Sequence, residues 1–390
     1  MKLPIYMDYN ATTPVDPRVL DAMLPCFSDH FGNAASRTHP YGWAAAKLAE
    51  SARARIAAAI GAHPEEIVFT SGATEANNLA IKGFAHTVRD HRGHVVTCAT
   101  EHKAVLDPCA ALDREGFAVT ILPVDSDGRL DPQRVAEALT PRTGLASIML
   151  ANNETGTLHQ VATIAALCRE RGVVLHCDAT QAAGKVPVDV NALGVDLLSL
   201  SAHKLYGPKG VGALYVRRRT PRLHLVPILD GGGHEQGMRS GTLNVPGIVG
   251  FARALEIAIE MMPAERARLG ALRDRLQDAI RSCLEAVTVN GDAAHRLPNT
   301  LNLSFAGVDG AALLVGVREA AVASGSACTS ADPKPSHVLL AMGRSKALAN
   351  ASLRFSLGRG NTPEDVETVA DAVVREVMRL RRNSPLWRRC

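Results

Sequence analysis

Val195-Asp196-Leu197-Leu198-Ser199-Leu200-Ser201-Ala202-His203-Lys204 is an apolar run that stops abruptly in a hydroxyl, an imidazole and an amine. Earlier in the chain, Val173-Val174-Leu175-His176-Cys177 ends the same way, at Asp178. Each run reads as a buried strand with a chemically loaded carboxyl end. A lysine and an aspartate in such positions suit an imine-forming cofactor with a basic ring nitrogen. The amine holds the cofactor as a Schiff base, and the carboxylate keeps the ring nitrogen protonated. Taken singly, a solvated lysine and a helix-capping aspartate explain the two residues equally well.

The surrounding chain supplies the architecture. Apolar runs at 66–70, 95–99, 118–124, 145–150, 173–177, 197–200 and 212–216 alternate with helical or polar stretches such as 132–139 and 163–171. Runs apolar on both faces and spaced this way predict an α/β fold with a mostly parallel sheet wrapped by helices. A second pattern begins near residue 261, where strand-like stretches at 300–305 and 353–357 flank helices in a smaller α+β unit. Its last helix is marked by Thr362 as N-cap, Pro363 in the first turn, and a stripe of Val366, Val369, Val373, Val377 and Leu380.

Ligands of parallel sheets bind at the carboxyl ends of the strands, and here those ends are loaded one after another. Ser71-Gly72-Ala73-Thr74-Glu75 follows the first run and offers a helix N-terminus and a hydroxyl to a phosphate. His102 follows the second run, where an imidazole can lie against a planar ring and shuttle protons. Asn152-Asn153-Glu154-Thr155-Gly156 follows the fourth and carries amides for a carboxylate or ring oxygen. Gln181 lies just past Asp178, and Ser201 and His203 precede Lys204 as phosphate donors. An ordinary N-cap or a structural histidine explains any one of these. Consecutive hits on the face where chemistry is expected favour pyridoxal phosphate.

Composition narrows the classes further. The 390 residues are 46% hydrophobic, enough for two domains, and 43 basic against 39 acidic residues leave a net charge of +4. That balance gives no argument for nucleic-acid or membrane binding. Residues 1–10 lack a signal-peptide core, and no run approaches the length of a membrane span. Eight cysteines without a Cys-x-x-Cys pair argue against a zinc site or a disulfide framework and fit a reducing, cytoplasmic setting. Basic residues cluster in Arg217-Arg218-Arg219 and in the tail, where solvation or docking of an acidic partner explains them.

Ser324-Gly325-Ser326-Ala327-Cys328-Thr329-Ser330 is a run of small and hydroxyl residues, followed by Asp332-Pro333-Lys334-Pro335. This composition predicts an exposed loop. A cysteine there is accessible, whereas free cysteines are usually buried and inert. Cys328 is therefore a candidate nucleophile toward a bound sulfur. Arg354 interrupts the apolar strand Leu353-Arg354-Phe355-Ser356-Leu357 and needs a partner, for which a substrate carboxylate is suited.

With these motifs assembled, the chain resembles the cysteine desulfurases of the nitrogen-fixation and iron–sulfur-housekeeping type, within the fold-type-I pyridoxal phosphate enzymes and the class V aminotransferase superfamily. The likeness runs from Tyr9-Asn10-Ala11-Thr12-Thr13-Pro14 through the motifs at 70–75, 151–156 and 201–204. It continues through Gly231-Gly232-Gly233-His234-Glu235 and Arg239-Ser240-Gly241-Thr242 to 324–330 and 353–359. The cysteine motif resembles the branch with a long, mobile cysteine loop rather than the branch that includes selenocysteine-lyase-like members.

The resemblance implies a large domain over residues 15–260 with a seven-stranded, mostly parallel sheet. It implies a small domain from residues 1–14 and 261–390, carrying the cysteine loop at about 324–335. It implies that Lys204 carries the cofactor, Asp178 pairs with the pyridinium, Gln181 meets the ring oxygen and His102 stacks on the ring. Ala73, Thr74, Ser201 and His203 would hold the phosphate, with Thr242 from the partner subunit of a homodimer. Asn153 and Arg354 would bind the carboxylate of L-cysteine, and Cys328 would take its sulfur as a persulfide, leaving L-alanine. The sulfur would pass to an iron–sulfur scaffold protein or to tRNA-thiolation carriers. No resident metal is implied, although Cys328 is a candidate transient iron–sulfur ligand. Competing readings are another pyridoxal phosphate enzyme of this fold, such as an aminotransferase or selenocysteine lyase, and a non-catalytic scaffold.

Overall fold

The computed structural model describes residues 3–218, 223–324, 335–385 and 387. Seven strands form the main sheet: β1 (Ile67–Thr70), β2 (His94–Cys98), β3 (Ala118–Leu122), β4 (Thr143–Ser147), β5 (Val174–Asp178), β6 (Leu197–Ser201) and β7 (Gly212–Val216). Their order across the sheet is β1-β7-β6-β5-β4-β2-β3. Strand β7 runs antiparallel to both its neighbours, and the other pairings are parallel. The expected α/β fold with a mostly parallel sheet is present.

The apolar runs were legible because both faces of this sheet are covered. Val96, Ala146, Leu175, Leu198 and Ala213 belong to one buried cluster, and their neighbours Val95, Leu145, Val174, Leu197 and Leu214 to another. Alternate side chains point to opposite faces of a strand, so two buried faces write an unbroken apolar run. Each buried Leu or Val contributes roughly 1.5–3 kcal/mol. The β5–β6 register sets Asp178 against Ser199. The chain then leaves β6 through a short turn, Ala202–Lys204, which brings Lys204 round the same sheet edge as Asp178.

A second sheet is built from β8 (Val287–Asn290), β9 (Thr300–Phe305) and β10 (Ser352–Ser356), antiparallel throughout. Its core joins Leu301, Leu303, Phe305, Leu353 and Phe355 to Leu272, Leu276 and Val373, and takes in Met7 from the opposite end of the chain. A short parallel pair, Ile5–Tyr6 with Ala320–Ala321, ties that end down. The last helix, Pro363–Arg382, starts as expected. Thr362 accepts from the Asp365 N–H at 3.2 Å, and Asp365 accepts from the Thr362 N–H at 3.1 Å.

The long helix Val245–Cys283 passes straight through the expected change of pattern near residue 261, with Pro263 inside it. Its first half buries Ile248, Phe251 and Leu255 in the main-sheet core. Its second half buries Leu269, Leu272, Leu276 and Ile280 in the other core. Packing on both halves sustains the helix across the missing proline N–H. Among the described residues, no helix is long and apolar enough to cross a membrane.

Candidate active site

At the carboxyl edge of the main sheet lies a cavity of about 370 Å³. Ala73, Thr74, His102, Asn153, Asp178, Gln181, Ser201, His203, Lys204 and Arg354 all line it. These residues come from six separate stretches of sequence. Thr242 does not line the cavity; it is exposed on the surface. Cys328 lies outside the described residues.

Two residues past the end of β1 comes Gly72, whose φ of +151° is one that other residues rarely adopt, and the helix Ala73–Asn78 follows directly. The first intrahelical backbone bond there is from the Ala76 N–H to Gly72 O at 3.1 Å. The N–H groups of the first turn are therefore available at the positive end of the helix. A Cβ on Gly72 would come within 3.8 Å of the Ser201 hydroxyl, so β6 presents Ser201 beside this turn. Glu75 also lines the cavity, and its charge is paired by Arg239 at 2.7 Å and by the Ser71 N–H at 2.7 Å.

Asp178 is buried and held by two donors. Asn77 Nδ2 donates to Oδ2 at 2.8 Å, and the Thr180 N–H donates to Oδ1 at 2.9 Å. Lys204 Nζ donates to the Asn10 and Ala11 carbonyls, both at 2.7 Å. His203 pairs through Nδ1 with Thr12 Oγ1 at 3.1 Å. Burial, reinforced by Lys204, Lys209 and Lys185, lowers the His203 imidazole to about 4. It is neutral at physiological pH and can donate a hydrogen bond.

His102 caps the helix Lys103–Arg114 with its own ring: Nδ1 accepts the Ala104 N–H at 3.0 Å. An accepting Nδ1 carries no proton, so the neutral ring is the Nε2–H tautomer. Burial, aided by Lys204, lowers its pKa. The proton shuttle expected at His102 would require this cap bond to break. With the bond intact, the ring is a hydrogen-bond donor.

Arg354 sits on β10 almost fully buried, and its partner is not left to a ligand alone. Asp8 accepts from Nη2 at 2.6 Å and the Asn153 carbonyl from Nη1 at 3.1 Å. Its Nε and the side-chain Oδ1 of Asn153 have no partner.

Sequence reasoning assigned no role to Asn10, Asn77, Glu101 or Lys185. Asn10 lies in the stretch Tyr9–Pro14, and its partners Asn153, Thr300 and Ser356 are remote in sequence. Asn77 is hidden on the buried side of a helix. Burial pushes the Glu101 carboxyl well above the usual range. Lys185 donates to Gln181 Oε1 at 2.7 Å.

Of the eight buried polar side-chain atoms without a partner among the described residues, four belong to this cavity: Asn77 Oδ1, Asn153 Oδ1, Thr180 Oγ1 and Arg354 Nε. Buried polar groups normally find partners, so these mark room for a polar ligand. An amine, a carboxylate and a helix N-terminus with an adjacent hydroxyl fit an aldehyde cofactor with a ring nitrogen and a phosphate. The residues present fit pyridoxal phosphate. The thiols buried in the core do not compete: burial pushes Cys98 and Cys109 up to about 12 and raises Cys177 well above the usual thiol range.

Residues 5–369 match the aminotransferase class-V family. The chain is 57% identical over 387 residues to cysteine desulfurase IscS of Anaeromyxobacter dehalogenans (strain 2CP-C), covering 99% of this chain and 96% of that one. Its fold is similar to a NifS-like protein, with a TM-score of 0.90 and 36% identity over 97% of this chain and 100% of that one. It is also similar to SspA in complex with cysteine, with a TM-score of 0.81 and 39% identity over 90% of this chain and 98% of that one. The chain belongs to the cysteine desulfurases of the aminotransferase class-V family.

Proposed function

We propose that this chain takes the sulfur of L-cysteine onto Cys328 as a persulfide, releases L-alanine, and hands the sulfur to acceptor proteins for iron–sulfur cluster assembly, with tRNA thiolation as a further outlet. The observation that carries this reading is the single cavity in which Lys204, Asp178, His102, Gln181 and Arg354 converge. The chemistry that pyridoxal phosphate supplies when bound is a carbonyl for the amine and an electron sink for the pair released at Cα.

The chain's own groups do the rest. Ala73, Thr74, Ser201 and His203 would hold the phosphate, Asp178 the ring nitrogen, Gln181 the ring oxygen, and Lys204 the carbonyl carbon. His102 would lie against the ring with its Nε2–H as a fixed donor. Arg354 and Asn153 bind and orient the substrate carboxylate, and Arg354 Nε is the donor still to be satisfied. Freed from the cofactor, Lys204 moves the Cα proton. The Cys328 thiolate attacks the substrate sulfur, the sulfur–Cβ bond breaks, and its electron pair stays on carbon to be protonated as alanine.

The ends of the cysteine loop support this role. Ala323 pairs with Arg354 through backbone bonds of 2.7 and 3.3 Å, and Ser336 donates to the buried Glu154. Five residues of extended chain span at most about 18 Å, which keeps Cys328 within reach of Arg354's surroundings. Five of the six described cysteines are buried; the sixth, Cys283, is exposed at the end of a helix and away from the cavity. Free, unpaired thiols also fit a cytoplasmic setting.

The chain works as a large domain over about 15–260 and a small one from 1–14 and 261–390, a division supported by the two separate sets of core residues. It works as a homodimer. Leu20, Leu24, Phe27, Phe31, Tyr41 and Trp43 are exposed, and Leu243, next to Thr242, packs beneath this region with Ala22 and Ala34. Exposed apolar surface of this kind suits a subunit contact that carries Thr242 to the partner's phosphate.

The test is a single-turnover reaction with L-cysteine and no reductant. One alanine per subunit and a persulfide-bearing protein are expected. Amino transfer to a keto acid without sulfur release would overturn the reading.

A further inference from the structure

Lys185 lies one turn beyond Gln181, in the segment that follows β5. Its Nζ donates to Gln181 Oε1 at 2.7 Å and to Asn10 Oδ1 at 3.3 Å. Gln181 Nε2 in turn donates to the Asn10 carbonyl at 2.9 Å. Chemistry fixes this assignment. A lysine amine donates and a carbonyl accepts, so a reversed carboxamide would set donor against donor and acceptor against acceptor. With Oε1 engaged by Lys185 and one N–H by the Asn10 carbonyl, the carboxamide retains a second N–H to offer a ligand.

On its other side Lys185 borders a separate small void of about 40 Å³, lined in part by Tyr9, Met261, Leu269 and Leu357. Charged and polar groups, among them Glu265, Arg266 and Asn299, also line that void, yet the amine bonds to two amide oxygens. We propose that Lys185 is a positioning residue that holds the Gln181 carboxamide with its N–H toward the cavity, where it meets the ring oxygen of the cofactor. This rests on the cofactor reading above. Burial, with Lys204 and Arg354 nearby, lowers the Lys185 amine to about 7. Both its charged and neutral forms carry N–H groups, so the carboxamide stays oriented in either.

The test compares wild type, Lys185→Met, Gln181→Met and the double variant. It measures the dissociation constant of pyridoxal phosphate from the apoprotein and the visible absorption maximum of the bound cofactor. Loss of one hydrogen bond should weaken binding by about 3- to 10-fold in each single variant and shift the band the same way. Because Lys185 acts through Gln181, the double variant should match Gln181→Met alone. Multiplying effects, or a Lys185→Met protein with wild-type affinity and band, would overturn the proposal. If Lys185→Met does not fold, Gln181→Glu carries the test. Lys185 should then pair with the carboxylate, leaving Tm unchanged while cofactor affinity falls as in Gln181→Met. A Tm below that of Gln181→Met would sink the idea. Wild-type apoprotein that binds no pyridoxal phosphate would instead refute the cofactor reading itself.

Discussion

The ring of His102 accepts the backbone N–H of Ala104 through Nδ1 at 3.0 Å, and that one bond assigns the proton to Nε2. Helix capping and the state of the site are thereby linked. A ring that caps through Nδ1 can donate from Nε2 but cannot take a proton there.

Glutamine places an amide nitrogen near where His102 carries Nε2, whereas asparagine keeps the cap and loses the reach. At saturating cofactor, His102→Gln should keep turnover within about tenfold of wild type, and His102→Asn should fall by on the order of 10²-fold. Equal collapse of both variants would restore the proton-shuttle role.

Asp178→Asn preserves shape but removes the charge that would face the ring nitrogen, with Asn77 and Thr180 still alongside. Cofactor should remain bound, while exchange of the substrate Cα hydrogen in D₂O slows by on the order of 10²-fold. Exchange at the wild-type rate would remove Asp178 from this role.

Cys328→Ser should still bind cofactor and L-cysteine, with the spectral response to substrate intact. Alanine release should drop by on the order of 10²-fold or more, since a hydroxyl is a poor nucleophile toward sulfur. Mass spectrometry of wild type after one turnover should find one added sulfur on the Cys328 peptide. Finding it mainly on the exposed Cys283 would redirect the mechanism.

Glu154 is raised from 4.5 to about 7, chiefly by burial, while Ser336 and Arg354 pull the other way. Between these values the folded protein holds a proton that the unfolded chain has released. Stability from this group therefore falls as pH rises from 4.5 through 7, and the full penalty is present above 7. Glu154→Gln keeps an acceptor for Ser336 and removes the penalty. Urea midpoints should show the variant gaining on wild type between pH 5 and 8, by on the order of 3 kcal/mol at most. Parallel pH profiles would contradict the shift.

Glu235 closes the glycine-rich stretch 231–233 onto the main sheet. It pairs with Arg53 at 2.7 Å and accepts from the Phe69 N–H at 2.7 Å, with both charged side chains nearly buried. Glu235→Ala strands the Arg53 charge and should cost roughly 3–5 kcal/mol, read as a lower Tm. An unchanged Tm would show the pair to be dispensable.

The sequence by itself determined the main sheet, because strands covered on both faces are apolar at most positions. It also determined which residues sit at the carboxyl ends, since Asp178 and Lys204 stand where the apolar runs stop. Local chemistry marked the last helix as well, through Thr362 and Pro363. Only the tertiary structure decided how the site closes. Asn10 bonds to Ser356 across 346 positions, and Arg354 bonds to Asp8 across the same interval. Such pairings leave no periodic trace in the sequence. The same holds for Asn77 against Asp178, 101 residues away. Lys185 reads locally as a surface lysine after a glycine, and becomes part of the site only when Asn10 arrives beside it. The helix 245–283 runs unbroken past residue 261 because one core takes over where the other ends, a fact of packing that its proline and polar middle conceal.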